Sequence, residues 1–111
     1  MKPLTTIVVL LLTFTAFVRA ESPVYIDVRT AEEYSQGHID GARLMPHDTI
    51  ETLITAAGIS TDTPVTLYCR SGRRAEIARQ KLLELGYTRV TNAGGYLDLA
   101  AQLEACRPDT C

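Results

Sequence analysis

At 111 residues, the chain has room for one domain built on one small core. Its 11 basic and 13 acidic residues give a formal net charge of −2, which excludes a nucleic-acid binder acting through a general positive field. Basic charge is concentrated instead at Arg70, Arg73 and Arg74, a distribution that points to a local task.

The chain opens like an export signal over residues 1–20. Lys2 provides the positive start, Leu4 to Val18 form an apolar run, and Val18-Arg19-Ala20 ends on a small residue. That run falls short of the roughly 20 apolar residues that a bilayer span requires. Arg19 beside the cut is unusual and leaves an uncleaved anchor as the alternative. Cleavage after Ala20 removes Lys2 and Arg19 and leaves a domain over 21–111. That domain carries 9 basic residues against 13 acidic ones, a net charge near −4.

Beyond the leader, short apolar runs alternate with helical patterns. "VYIDV" (24–28) reads as a buried parallel strand. Thr30 and Glu33 stand at capping-box spacing and start a short helix in "TAEEY". "GARLM" (41–45) reads as a second strand closed by Pro46. Asp48 is placed to cap a helix with Ile50, Leu53 and Ile54 on one side, stopping near Gly58. "PVTLYC" (64–69) is the clearest strand. "RAEIARQKLLEL" then sets Ile77, Leu82 and Leu85 at helical spacing before Gly86. "RVTN" predicts a short strand, Gly94-Gly95 a turn, and "YLDLAAQLEA" a last helix. This alternation predicts an α/β fold, a single domain with a small, mainly parallel central sheet flanked by helices. Ligands bind such sheets beyond the carboxyl ends of the strands, and Cys69 sits at one of those ends.

The loop "CRSGRR" (69–74) carries the chemistry. The first N–H groups of a helix have no intrahelical partners, and the helix dipole makes that end positive. Consecutive N–H groups can form an anion nest, and Gly72 permits the backbone angles this needs. A thiol inside such a nest has a depressed pKa, and Arg70, Arg73 and Arg74 add to the field. Arginines in a first helical turn oppose the dipole, a conflict that suggests function over stability. The bland alternative makes Cys69 a small buried hydrophobe, Arg70 and Arg73 solvated, and Arg74 a structural partner of an acidic residue. A cysteine phosphatase places five residues between cysteine and arginine, which here falls on Ala75. The spacing present is Cys69, four residues, Arg74, and Tyr68 precedes the cysteine instead of histidine. The smaller ring suits a persulfide or the sulfane sulfur of thiosulfate.

At these residues the sequence resembles the rhodanese family of sulfurtransferases, and among them the small exported single-domain members. "CRSGRR" fits the family's Cys-x-x-Gly-x-Arg loop. "YIDVRTAEEYSQGHIDGARLMP" fits its first signature, and "LGYTRVTNAGGY" the segment after the active-site helix. The absence of tryptophan, which many relatives carry after the Gly-Gly pair, is a departure that touches packing of the last helix.

The resemblance implies a thiosulfate sulfurtransferase with Cys69 as nucleophile. The Cys69 thiolate takes the outer sulfur of thiosulfate, sulfite leaves, and cyanide or a thiol accepts the sulfur from the Cys69 persulfide. Arg70, Ser71, Gly72, Arg73 and Arg74 are then the substrate-binding loop, their N–H groups holding the persulfide while Arg74 closes the ring. Asp27 and Arg29, at the end of the first strand, are expected to fix loops near Cys69. The mechanism calls for no cofactor and no metal, and a bacterial host would make the compartment the periplasm. His38 is expected to be a turn residue bonded to the scaffold, and His47 a surface residue. Gly94 and Gly95 are expected to serve a tight turn.

Cysteines number three, an odd count for an exported chain. Cys106 and Cys111 have three readings: a disulfide closing a small tail loop, resolving thiols that take sulfur from Cys69, or unpaired or intermolecular thiols. Two rival functions stand beside the enzyme. One is a protein-to-protein sulfur carrier, the other an exported thiol-redox stress protein using Cys69 with a tail cysteine. The partners expected are a small anionic sulfur donor and a thiol or cyanide acceptor, with no nucleic acid and no membrane anchor after cleavage.

Overall fold

The computed structural model describes residues 22–105, so the predicted leader and the tail cysteines Cys106 and Cys111 lie outside the described residues. β1 (Val24–Asp27) pairs in parallel with β2 (Arg43–Leu44) on one side and β3 (Val65–Cys69) on the other. β4 (Val90–Gly95) adds beyond β3, also parallel, giving the order β2-β1-β3-β4. β1 and β3 are central, and strands covered on both faces need apolar side chains on both. Their near-continuous apolar sequences meet that need.

Four helices cover the sheet: α1 (Ala31–Ser35), α2 (Ile50–Ala56), α3 (Arg73–Glu84) and α4 (Tyr96–Ala105). Alternation along β3 divides the core into two layers. Val65, Leu67 and Cys69 join Ile50 and Ile54 of α2 and Ala75, Ala78 and Leu82 of α3. Tyr68 points the other way, to Ile39, Ala42 and Leu99. Ile26, Ile50, Ile54, Leu67 and Leu82 are 0% exposed, each contributing about 1.5–3 kcal/mol by leaving water.

Three local expectations are corrected. Asp48 does not cap α2: Thr49 occupies that position without a side-chain cap, its hydroxyl reaching back to the Pro46 carbonyl instead. On α3, Ile77 is 42% exposed, as is Leu85 just past its end, and the inward face is Ala75, Ala78 and Leu82. The phase of that helix is set by where the loop starts it, and small residues on its inner face allow a close approach to the sheet. Gly94-Gly95 is the end of β4, not a turn after it.

The connection from β1 leads to β2 on one side, and that from β3 leads to β4 on the other. The chain therefore parts between β1 and β3, and the crevice at their carboxyl ends is where an open α/β sheet binds ligands. Asp27 ends β1 there and Cys69 ends β3.

Candidate active site

Cys69 is 1% exposed, at the point where β3 gives way to the loop that feeds α3. The Gly72 N–H donates to Cys69 Sγ at 2.9 Å. Burial alone pushes the thiol up, but backbone N–H groups of Ala75, Ser71, Gly72 and Arg74 outweigh it and hold the thiol below its usual range. The loop is a ring of N–H donors around one sulfur. Ala75 belongs to that ring, although as a backbone donor it leaves no side-chain signal in the sequence.

Gly72 makes the ring possible. Its φ of +96° is in the left-handed region, and a Cβ there would stand 3.2 Å from Gly94 Cα. Gly95 presses from the same side, because a Cβ on it would stand 2.6 Å from the Arg70 carbonyl oxygen. The end of β4 thus passes against the loop: Gly95 has no room for a side chain, and Gly94 supplies a left-handed φ of +83°. Asn92 of β4 completes the support. Its amide donates to the Gly72 carbonyl at 3.0 Å and to Glu76 at 3.2 Å, while its own oxygen accepts from Gly94 N–H at 2.9 Å.

Arg74 is pinned from across the crevice. Its guanidinium donates to both oxygens of Glu33, at 2.6 and 3.0 Å. The hydrogen bonds from Arg74 hold the Glu33 carboxyl at about 2, against the opposing push of burial and with help from Thr30. Glu33 also closes the capping box of α1, accepting from the Thr30 N–H at 3.3 Å while its own N–H reaches the Thr30 hydroxyl at 3.2 Å. One carboxylate therefore fixes both the start of α1 and the arginine of the sulfur loop. Arg70 and Arg73 are different. Both are exposed and, among the described residues, neither makes a side-chain hydrogen bond or ion pair.

Asp27 and Arg29 form a buried pair, 0% and 6% exposed. Arg29 Nη2 donates to Asp27 Oδ2 at 2.7 Å and Nε to Oδ1 at 2.9 Å, while Nη2 also reaches the Gly37 carbonyl at 2.7 Å. The guanidinium lies 4.6 Å from the Tyr96 ring centroid and 5.6 Å from that of Tyr68. Burial pushes the Tyr68 phenol up, and its oxygen accepts from the Ile39 N–H at 3.0 Å. This cluster ties the β1 loop, β3 and α4 together behind Cys69; none of its bonds reaches the sulfur. His38 stacks on Tyr34 at 3.6 Å and its Nδ1 meets the Tyr34 carbonyl at 2.9 Å, a scaffold position. His47 is half-buried, and its carbonyl accepts from Lys81 Nζ at 3.0 Å.

An open cleft of about 530 Å³ lies beside the loop, lined by Arg29, Glu33, Gln36, Gly37, Arg70, Tyr96 and Leu97. It occupies the crevice that the strand order predicts.

The rhodanese-like domain model matches residues 14–102, beginning ahead of the expected cut after Ala20. The chain belongs to the rhodanese family of sulfurtransferases. It is 41% identical over 76 residues to thiosulfate sulfurtransferase PspE of Escherichia coli, covering 68% of this chain and 73% of that one. A sulfurtransferase of Allochromatium vinosum is 39% identical over 75 residues, 68% of each chain. Among solved structures, a rhodanese with anions from E. coli aligns with a TM-score of 0.65 at 40% identity, over 71% of this chain and 93% of that one. The parallel four-stranded sheet is the rhodanese fold, and the chain is a rhodanese-type enzyme.

Proposed function

We propose that this rhodanese takes sulfane sulfur from thiosulfate onto Cys69 as a persulfide and passes it to a thiol, or to cyanide in an assay. The observation that carries the reading is the ring of backbone N–H groups around Cys69 Sγ, with Gly72 N–H at 2.9 Å. The thiolate forms a bond to the outer sulfur of thiosulfate, the S–S bond of the donor breaks, and sulfite departs with the electron pair. Sulfite is a good leaving group, so the step asks for no general acid. The charged persulfide then lies among the same donors, which are already oriented and need no rearrangement as charge arrives. In the second half-reaction a nucleophile attacks the outer sulfur and Cys69 returns as thiolate. Support for thiosulfate as donor comes from the name of the E. coli relative, and for an anion site from the solved rhodanese with anions.

We also propose that residues 1–20 direct export and are removed, leaving a periplasmic domain from Glu21 with the Cys106 and Cys111 tail. Amino-terminal sequencing of protein released by osmotic shock tests this; a start at Met1 would refute it.

The test of function is intact mass after thiosulfate treatment, beside Cys69→Ser. One added sulfur, absent from the variant and released by cyanide as thiocyanate, is the expected result. No added sulfur on demonstrably reduced Cys69 would overturn thiosulfate as donor. A stable persulfide that only a protein partner discharges would move the assignment to a sulfur carrier, and a reversible disulfide on Cys69 to thiol-redox function.

A further inference from the structure

We propose that the cleft beside the sulfur loop is the acceptor site, and that it selects a low-mass thiol bearing a carboxylate, held by Arg70. The inference rests on the Cys69 persulfide and adds to it the class of molecule that removes the sulfur.

Volume comes first. At about 530 Å³ the cleft falls within the roughly 300–1,000 Å³ of small-molecule sites, far more space than thiosulfate alone needs. Its charge is the second point. Three charged side chains line it: Arg29, Glu33 and Arg70. Arg29 is neutralised by Asp27 at 2.7 Å, and Glu33 by Arg74 at 2.6 Å. Arg70 is exposed, without an ion pair among the described residues, and gives the wall its one uncompensated charge. A carboxylate is the natural complement of a free guanidinium, through paired N–H donors.

Position is the third. Arg70 follows Cys69 in the chain, its carbonyl lies against Gly95, and its side chain lines the cleft, so the cleft begins one residue from the reacting cysteine. Leu97, 79% exposed, and Tyr96 give the wall its apolar part, suited to the short carbon chain between thiol and carboxylate. In the transfer, the acceptor thiolate bonds to the outer sulfur, the Sγ–S bond breaks, and its electron pair returns to Cys69. The acceptor leaves as a persulfide, with no external oxidant or reductant.

The experiment loads the protein with thiosulfate and removes excess donor. Discharge by 3-mercaptopropionate, 2-mercaptoethanol and cysteamine is then followed, each rate expressed per persulfide counted by intact mass and per thiolate. The intrinsic reactivity of each thiol cancels when wild type is compared with a variant. In Arg70→Gln the 3-mercaptopropionate to 2-mercaptoethanol rate ratio should fall roughly two- to fivefold, the range of one exposed ion pair. The cysteamine to 2-mercaptoethanol ratio should rise, and Arg70→Lys should keep most of the wild-type ratio. An unchanged ratio in Arg70→Gln overturns the proposal, and so does an equal fall in Arg73→Gln, which removes the same charge away from the cleft. Thiocyanate release by cyanide is read in parallel. If it is absent, the persulfide reading has failed; if it is present and the ratios do not depend on Arg70, only the acceptor inference has.

Discussion

Glu33→Gln isolates the charge of one carboxylate while keeping its shape. In the wild type, Arg74 donates to both Glu33 oxygens, and the carboxyl is held at about 2 instead of its usual 4.5. At about 1.4 kcal/mol per pKa unit, this difference corresponds to roughly 3 kcal/mol before screening. The side chains are 27% and 29% exposed, so solvent reduces the contribution to about 1 kcal/mol. For a domain of this size, about 1 kcal/mol lowers the melting temperature by about 4–8 °C at pH 7. A depressed carboxylate stabilises the fold above its unfolded value of 4.5 and loses that contribution as pH falls toward about 2. The gap between wild type and variant should therefore be full above pH 5 and close as the pH approaches 2, followed by calorimetry across that range. Activity should drop as well, because Arg74 supplies one of the N–H donors to the sulfur; about tenfold in kcat/KM for thiosulfate corresponds to about 1.4 kcal/mol. A melting difference that persists unchanged at the acid end would refute the claim that the Glu33 charge is what Arg74 needs.

Three other outcomes follow from the same geometry. Gly72→Ala places a Cβ at a left-handed φ and 3.2 Å from Gly94 Cα, and should cost about 1–3 kcal/mol in urea unfolding; a wild-type midpoint would contradict the strain argument. Alkylation of wild-type Cys69 by iodoacetamide should reach half its limiting rate at a pH below the usual thiol range, and Gly72→Ala should move that midpoint up as donors tilt away. Coincident midpoints would mean the N–H ring does not set the thiolate. Asp27→Ala leaves Arg29 buried at 6% exposure without its carboxylate and should destabilise the protein by about 3–5 kcal/mol, read from denaturant midpoints; a loss below about 1 kcal/mol would show that the Gly37 carbonyl and Tyr96 suffice.

Much of the site was legible because its determinants are local. The strand ending at Cys69, the glycine at 72 and the helix after it lie within a few residues, so spacing alone placed the thiol at a helix mouth. The capping box of Thr30 and Glu33 was legible for the same reason. What stayed hidden depends on residues distant in sequence. Glu33 and Arg74 are 41 residues apart, and Asn92 and Gly72 are 20 apart; no periodicity connects them. On the inner face of α3 the helical spacing finds Leu82, but hydrophobicity also favours Ile77 and Leu85, whereas the loop geometry fixes the helix phase on Ala75 and Ala78. The glycine pair at 94–95 reads as a turn because glycine reports permissive backbone and close approach alike; Gly94 takes a left-handed φ of +83°, and Gly95 meets the neighbouring loop.

The opposition between arginines and helix dipole resolves differently at each position. Arg74 is in the first turn of α3, where a cation is unfavourable, and Glu33 cancels its charge from another element. Glu76 adds an acidic group in the same turn, which the dipole favours. Those compensations let Arg74 serve the loop through its shape and its backbone N–H, with little net field. The attraction for anions must then come from the donors around Cys69 and from the uncompensated Arg70 and Arg73. Backbone donors act at hydrogen-bond range and grip whatever charge is already on sulfur. Exposed guanidinium groups act over the Debye length, about 8 Å at physiological salt, and so govern arrival more than chemistry. Raising ionic strength should accordingly slow capture of thiosulfate at low concentration while leaving the saturated rate of persulfide formation nearly unchanged. Stopped-flow loading between low and high salt separates the two, and an equal slowing of both would place the arginines in the chemical step itself.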